Sequence, residues 1–165
     1  MRRFEKISEE QWNKDTVDLT FVGMSKPDYG NIKLPQRATS KSAGYDLYST
    51  NDKVVYIDSE DTVEFKIGIA VELPDGYFGA VVARSGLSTK RGLRPANCFG
   101  VVDSDYRGEV RVFLHNDSSI IQCVEPGERI AQLILIPYQT MEFEEVENLN
   151  ETERGENGIG STGRN

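Results

Sequence analysis

The chain has 165 residues and a mass of 18.5 kDa, which fits one domain that can be stable without a disulfide framework or a structural metal. Nineteen Lys and Arg against 27 Asp and Glu leave a formal charge of −8, which argues against coating long nucleic acids but not against binding a small phosphorylated ligand. Two distant cysteines, Cys98 and Cys123, and one histidine, His115, exclude a CxxC zinc ribbon, an HExxH site and any mechanism that needs two imidazoles.

Residues 1–16 read as a polar N-terminal extension, an appendage with a short helix for which Ser8 is the candidate N-cap and Glu9 and Glu10 lie near the positive end of the helix dipole. This charged stretch has no apolar run suited to a signal peptide or a membrane span, so the expectation is a cytoplasmic protein without membrane contact. From residue 17 to 150 one β domain is expected, built from short β-rich runs at 17–22, 45–49, 53–57, 62–73, 77–83, 109–115, 120–124, 129–138 and 141–146. Val63, Phe65, Ile67, Ile69, Val71 and Leu73 alternate with the period of a half-buried strand, as do Val110, Val112 and Leu114. His115 falls in the latter run and is expected to be a partly exposed strand residue. Pro74-Asp75-Gly76 and Pro126-Gly127 are turn signals. The expected architecture is all-β, a jelly roll of packed antiparallel sheets or a distorted β-barrel, with no long helix. Residues 151–165 read as a flexible lid, with four glycines between 154 and 165.

Charge is unevenly spread. No acidic residue lies between Asp75 and Asp103, a window that holds Arg84, Lys90, Arg91 and Arg94 and could dock an anion. Residues 141–153 carry six glutamates, and without them the remaining charge is −2.

Four local patterns carry chemistry. Arg84-Ser85-Gly86-Leu87-Ser88 joins a guanidinium fork, a hydroxyl and a glycine after a strand, groups that hold phosphate oxygens. The tail from Arg154 to Gly163 offers the same chemistry in mobile form, but it lacks the lysine and the following helix of a Walker A loop. Residues 100–109 read as a β-hairpin with Asp103, Asp105 and Tyr106 at its turn. Asp103 follows the apolar pair Val101-Val102, so one face should be shielded and its carboxylate can accept a proton. Asp46 sits inside a β run, where a carboxylate needs a partner or a role; a Mg²⁺ ion held mostly by water and ligand phosphates would be such a partner.

These residues resemble the five motifs of the trimeric dUTP diphosphatases, the dUTPases, in that family's order: 43–47, 84–87, 100–109, 127–132 and 154–163. The resemblance implies a jelly-roll homotrimer whose sites are each assembled from three chains. It also implies hydrolysis of dUTP to dUMP and pyrophosphate by water attack on the α-phosphorus with Mg²⁺, which keeps uracil out of DNA and supplies dUMP for thymidylate synthesis. Asp103 then matches the general base. Tyr106 packs under the deoxyribose and collides with a 2′-hydroxyl. Asn97, with the backbone of Val101, Val102 and Asp103, fixes the uracil edge. Arg84, Ser85 and Gly86 bind phosphate, Gln132 lies near the phosphates and the water, and Arg111 belongs with the substrate-binding residues. Asp46 is linked to the metal through water. Arg154, Ile159, Gly160, Ser161 and Thr162 match the closing tail, with Arg154 toward the γ-phosphate.

The tail departs from the family pattern, in which a phenylalanine stacks on uracil. Ile159 takes that place and Asn157 replaces a glycine, so a looser lid or a replacement ring from Phe99 or Trp12 is expected. The alternatives are a dCTP deaminase, or a bifunctional enzyme, and a regulatory binding protein that reuses the fold.

Overall fold

The computed structural model describes residues 3–16 and 27–158. In chain order these form β1 (Arg3–Lys6), α1 (Glu9–Thr16), a 3₁₀ turn (Tyr29–Asn31), β2 (Tyr45–Tyr48), β3 (Val55–Ile57), β4 (Thr62–Lys66), β5 (Ile69–Glu72), β6 (Tyr77–Val82) and α2 (Ser85–Arg91). β7 (Leu93–Pro95), β8 (Phe99–Val102), β9 (Arg111–Asn116), β10 (Gln122–Val124) and β11 (Arg129–Pro137) complete them. Strands dominate and the two α-helices are short, as the alternating runs and turn signals predict. The run at 17–22 lies outside the described residues.

Every strand pairing is antiparallel. The largest sheet has the order β2-β11-β6-β8 and a second has the order β4-β9-β7, with the pairs β1-β5 and β10-β3 beside them. One apolar cluster draws members from all of these, among them Leu47, Ile57, Phe65, Val71, Val81, Leu93, Val112 and Leu133. Non-consecutive neighbours such as β2-β11 and β4-β9 bring residues far apart in sequence onto common faces, and this is what builds the site.

The alternation at 63–73 identifies the buried face correctly, since Val63, Phe65, Ile67, Ile69, Val71 and Leu73 are all buried. The run is nevertheless two strands. Gly68 has φ +67°, a left-handed conformation that redirects the chain, so β4 pairs with β9 while β5 pairs with β1. Pro74-Asp75-Gly76 turns as expected, with Gly76 at φ +77° and the Tyr77 N–H donating to the Pro74 carbonyl at 3.2 Å.

Three further expectations are corrected. Residues 100–109 do not form a hairpin: β8 pairs with β6 and β9 pairs with β4 and β7, so the intervening loop passes from one sheet to another. Residues 141–146 form no strand, because no neighbouring strand of this chain receives their backbone; Met141 and Phe143 stand 72% and 91% exposed. The N-terminal segment is also tied to the core rather than appended to it. β1 pairs residue by residue from Arg3↔Glu72 to Lys6↔Ile69, the Ile7 N–H donates to the Gly68 carbonyl at 3.0 Å, and Trp12 is 2% exposed. Truncating a ring so placed costs about 3–5 kcal/mol, far more than a surface extension contributes. The helix itself is capped as expected, the Ser8 hydroxyl accepting from the Gln11 N–H at 3.2 Å. No helix of the described residues is long and apolar enough to cross a membrane.

Candidate active site

The β8-to-β9 loop and the two strands that flank it enclose a groove of about 300 Å³. Six of the expected site residues line it: Asn97, Val101, Val102, Asp103, Tyr106 and Arg111, joined by Glu109 and Phe113. The loop is fixed by its own backbone. The Tyr106 N–H donates to the Asp103 carbonyl at 3.2 Å, the Arg107 guanidinium to the Ser104 carbonyl at 2.7 Å, and the Tyr106 hydroxyl to the Glu109 carbonyl at 3.0 Å. A Cβ at position 108 would collide with the Tyr106 ring, so Gly108 is what lets that ring lie against the loop.

Among the described residues none supplies the shielding expected for Asp103. Its residue is exposed and Val101 is 58% exposed, while Val102 turns inward. Among the described residues no cation pairs with the Asp103 carboxylate. That leaves the carboxylate open to water.

A second cluster forms where β2, β6 and β11 meet the start of α2. Asp46 lies opposite Gln132 in the β2-β11 ladder, and Arg84 follows β6 as the N-cap residue of α2. The Arg84 Nε donates to Asp46 Oδ1 at 3.0 Å and the Arg129 Nη1 to Asp46 Oδ2 at 3.1 Å. A buried carboxylate between two guanidinium groups is well compensated, so the partner Asp46 requires is, within this chain, an arginine pair. Gln132 donates to the Ala83 carbonyl at 3.0 Å, and a Cβ on Gly44 would collide with its Oε1. A Cβ on Gly86 would meet nothing within 4 Å, so the fold of this chain does not itself demand a glycine there.

The donor set bears on a metal. Among the described residues no group of three or more His, Cys, Asp or Glu could hold one, so an all-protein cage is ruled out for them. One carboxylate acting through water, with phosphate oxygens as inner ligands, fits a hard Mg²⁺ ion.

The acid-free window does not offer four available cations. Arg91 is anchored to Glu128 at 2.6 Å and holds α2 against β10. Arg94 is held by a two-pronged pair with Asp117 at 2.6 and 2.8 Å, and this hydrogen-bonded carboxylate raises the pKa of its guanidinium. Arg111 donates to Glu64 at 3.0 Å yet still lines the groove. His115 is part-buried on β9, with its Nδ1 at 3.0 Å from the Thr62 hydroxyl, as expected of a strand histidine.

Arg154 joins neither cluster. Its Nε donates to the Asn157 carbonyl within the same turn, and Ile159, Gly160, Ser161 and Thr162 lie outside the described residues. Of the two replacement rings, Trp12 is committed to the core, edge-on to Tyr29. Phe99 is 44% exposed and packs edge-on to Phe78. Phe113 also lines the groove but belongs to none of the motifs; it has the parity of Arg111 on β9, opposite the buried Val112 and Leu114, and that alternation is the signal in the sequence.

The chain matches the dUTPase family model over residues 30–163. The chain belongs to the dUTPase family. It is 44% identical over 135 residues to the deoxyuridine 5′-triphosphate nucleotidohydrolase of Anaplasma marginale (strain St. Maries), covering 82% of this chain and 91% of that protein. With the protein of the same name from Desulfitobacterium hafniense (strain DSM 10664 / DCB-2) it shares 47% over 152 residues, 92% of this chain and 98% of that one. The fold agrees: a Staphylococcus bacteriophage 80alpha dUTPase with dUPNHPP aligns at a TM-score of 0.76 and 26% identity, over 99% of this chain and 98% of that one. A dUTPase variant from phage phi11 of S. aureus, described as coordinating a structural Mg(II) ion, shares the fold at a TM-score of 0.69 and 21% identity, over 92% of this chain and 99% of that one.

Proposed function

We propose that this dUTPase-family chain hydrolyses dUTP to dUMP and pyrophosphate in the cytoplasm, as a homotrimer whose sites combine the groove of one chain with the arginine cluster of another. The observation that carries the reading is the groove, which gathers Asn97, Val101, Val102, Asp103 and Tyr106 around one space. None of Arg84, Ser85, Gly86 or Gln132 is among its lining residues, so one chain supplies its phosphate-binding groups elsewhere. Exposed Phe99, Val101, Phe113 and Tyr138 give the groove side the apolar surface that association between chains would cover.

Uracil lies in the groove, its edge paired by Asn97 and by the backbone of residues 101–103. A mispaired base would leave buried polar groups without partners, which is a steep basis for selection. Tyr106 supports the deoxyribose and excludes a 2′-hydroxyl. Asp103 orients the attacking water and takes its proton. Arg84, Ser85, Gly86 and Gln132 neutralise and align the phosphates, with Arg111 contributing on the groove side. Arg154 reaches the γ-phosphate, and Ile159, Gly160, Ser161 and Thr162 close over the nucleotide. Asp46 would hold Mg²⁺ through water; the ion supplies charge neutralisation on the phosphate oxygens. Phosphoryl substitution depends on positioning and electrostatics, so one carboxylate base suffices without Cys or His.

Incubation with dUTP, dCTP, dTTP and UTP in the presence of Mg²⁺, followed for pyrophosphate and ammonia, tests the proposal. Pyrophosphate from dUTP alone is the expected result. Ammonia from dCTP would make it a deaminase, and no product from any of the four would leave a binding protein.

A further inference from the structure

Lys66 and Glu109 are a buried ion pair directly behind the groove. Each side chain is 1% exposed and the Nζ to Oε2 distance is 4.0 Å. Desolvating two charges is unfavourable unless geometry and further hydrogen bonds compensate, and apolar residues of the same volume often stabilise a fold better. Stability is therefore a weak account of the pair, and its surroundings offer another. On one side the Trp12 ring lies 5.8 Å from the Lys66 Nζ, within reach of a cation–π interaction. On the other, Glu109 reaches two groove residues, Arg111 and Tyr106, and also the backbone of Gly68. Its Oε1 accepts from the Gly68 N–H at 2.8 Å, its Oε2 lies 3.7 Å from the Arg111 Nε, and its carbonyl receives the Tyr106 hydroxyl. Gly68 is thus held on both sides, its N–H by Glu109 and its carbonyl by Ile7.

We propose that Trp12, Lys66 and Glu109 are positioning residues that set the Tyr106 ring, so that the N-terminal segment takes part in sugar selection; this rests on the reading of the groove as the nucleotide site. A ring that must admit a deoxyribose and reject one extra oxygen has to be fixed to well under the size of that oxygen, and small displacements of positioning groups are costly. The Glu109 carbonyl fixes the hydroxyl end of Tyr106, the buried pair fixes Glu109, and the indole holds the Lys66 end of the pair.

The test is the ratio of kcat/KM for dUTP to that for UTP, measured on the full chain and on folded variants. In Trp12→Leu the ratio should fall about fivefold, in the range of coupling seen for residues joined in one network, and it should fall because UTP is accepted better rather than because both substrates are lost. Trp12→Phe keeps an aromatic face over Lys66 and should hold the ratio within about twofold of the parent. Tyr106→Phe removes the hydroxyl that reaches Glu109, and combining it with Trp12→Leu should produce no further fall. An unchanged ratio in Trp12→Leu, equal effects of Leu and Phe, or fully multiplicative effects in the double variant would overturn the proposal. If Trp12→Leu does not fold, Glu109→Gln carries the same expectation, because it keeps the acceptor for Gly68 and loses the charge; an unchanged ratio there is equally decisive. A parent protein that does not prefer dUTP to UTP would instead overturn the reading of the groove.

Discussion

The groove and the arginine cluster solve opposite problems. The groove is shaped mainly by backbone: its loop closes on its own carbonyls, and its one proposed catalytic carboxylate, Asp103, is left exposed and without a cationic partner among the described residues. The cluster is shaped by charge: Asp46 sits 8% exposed between two guanidinium groups, which it orients and half neutralises, leaving one net positive charge. Base recognition needs fixed donors and acceptors that are present before the ligand arrives. Polyphosphate recognition needs cations that do not repel one another in its absence, and a shared carboxylate provides this. The difference predicts that changes in the groove act on turnover and selectivity, while changes in the cluster act on affinity.

The largest effect should come from Asp103→Asn, which keeps the shape of the groove and removes the proton acceptor. Turnover measured by pyrophosphate release should fall by about 10²–10⁴-fold, while calorimetric binding of dUTP stays within a few-fold of the parent. Near-normal turnover would show that the base lies elsewhere. Deleting residues 154–165 should come next, with kcat/KM reduced by about 10²-fold and the melting temperature almost unchanged, because residues 154–158 contribute no buried side chain. A cooperative loss of folding would contradict that. Arg84→Ala should raise KM by about tenfold with a smaller change in kcat, as expected when one charge-assisted contact is lost from binding. A fall in kcat with unchanged KM would place Arg84 on the turnover side of the comparison. Ile159→Phe should have the smallest effect, tightening nucleotide binding by roughly fivefold through ring stacking on the base; equal affinity would show that another residue already covers it.

How much of this was legible in the sequence depended on distance along the chain. The buried face of 63–73 is readable because alternation is local, and the motif at 100–109 is readable because it is contiguous; that its residues share one groove with Asn97 and Arg111 is visible only in the structure. The pairing partners of β8 and β9 were not readable, since the loop between them looks like a hairpin turn and only competition with β6, β4 and β7 decides otherwise. The cations of the acid-free window looked available because Glu128 and Asp117 lie outside it in sequence and beside it in space. The burial of Trp12 is hidden for a related reason. Its surroundings are polar along the chain, and its apolar environment comes from Gly68 and Tyr29.

Trp12 is also the only tryptophan in the chain, and its burial gives the protein an internal optical gauge. Indole emission moves to longer wavelength when water reaches the ring, so the fluorescence of the unmodified protein reports whether the N-terminal segment is docked. Under mild urea, a red shift that precedes the loss of β-sheet circular dichroism would reveal a state in which the segment has come away from an otherwise intact sheet structure. Coincident transitions would show that β1, α1 and the sheets melt as one cooperative unit.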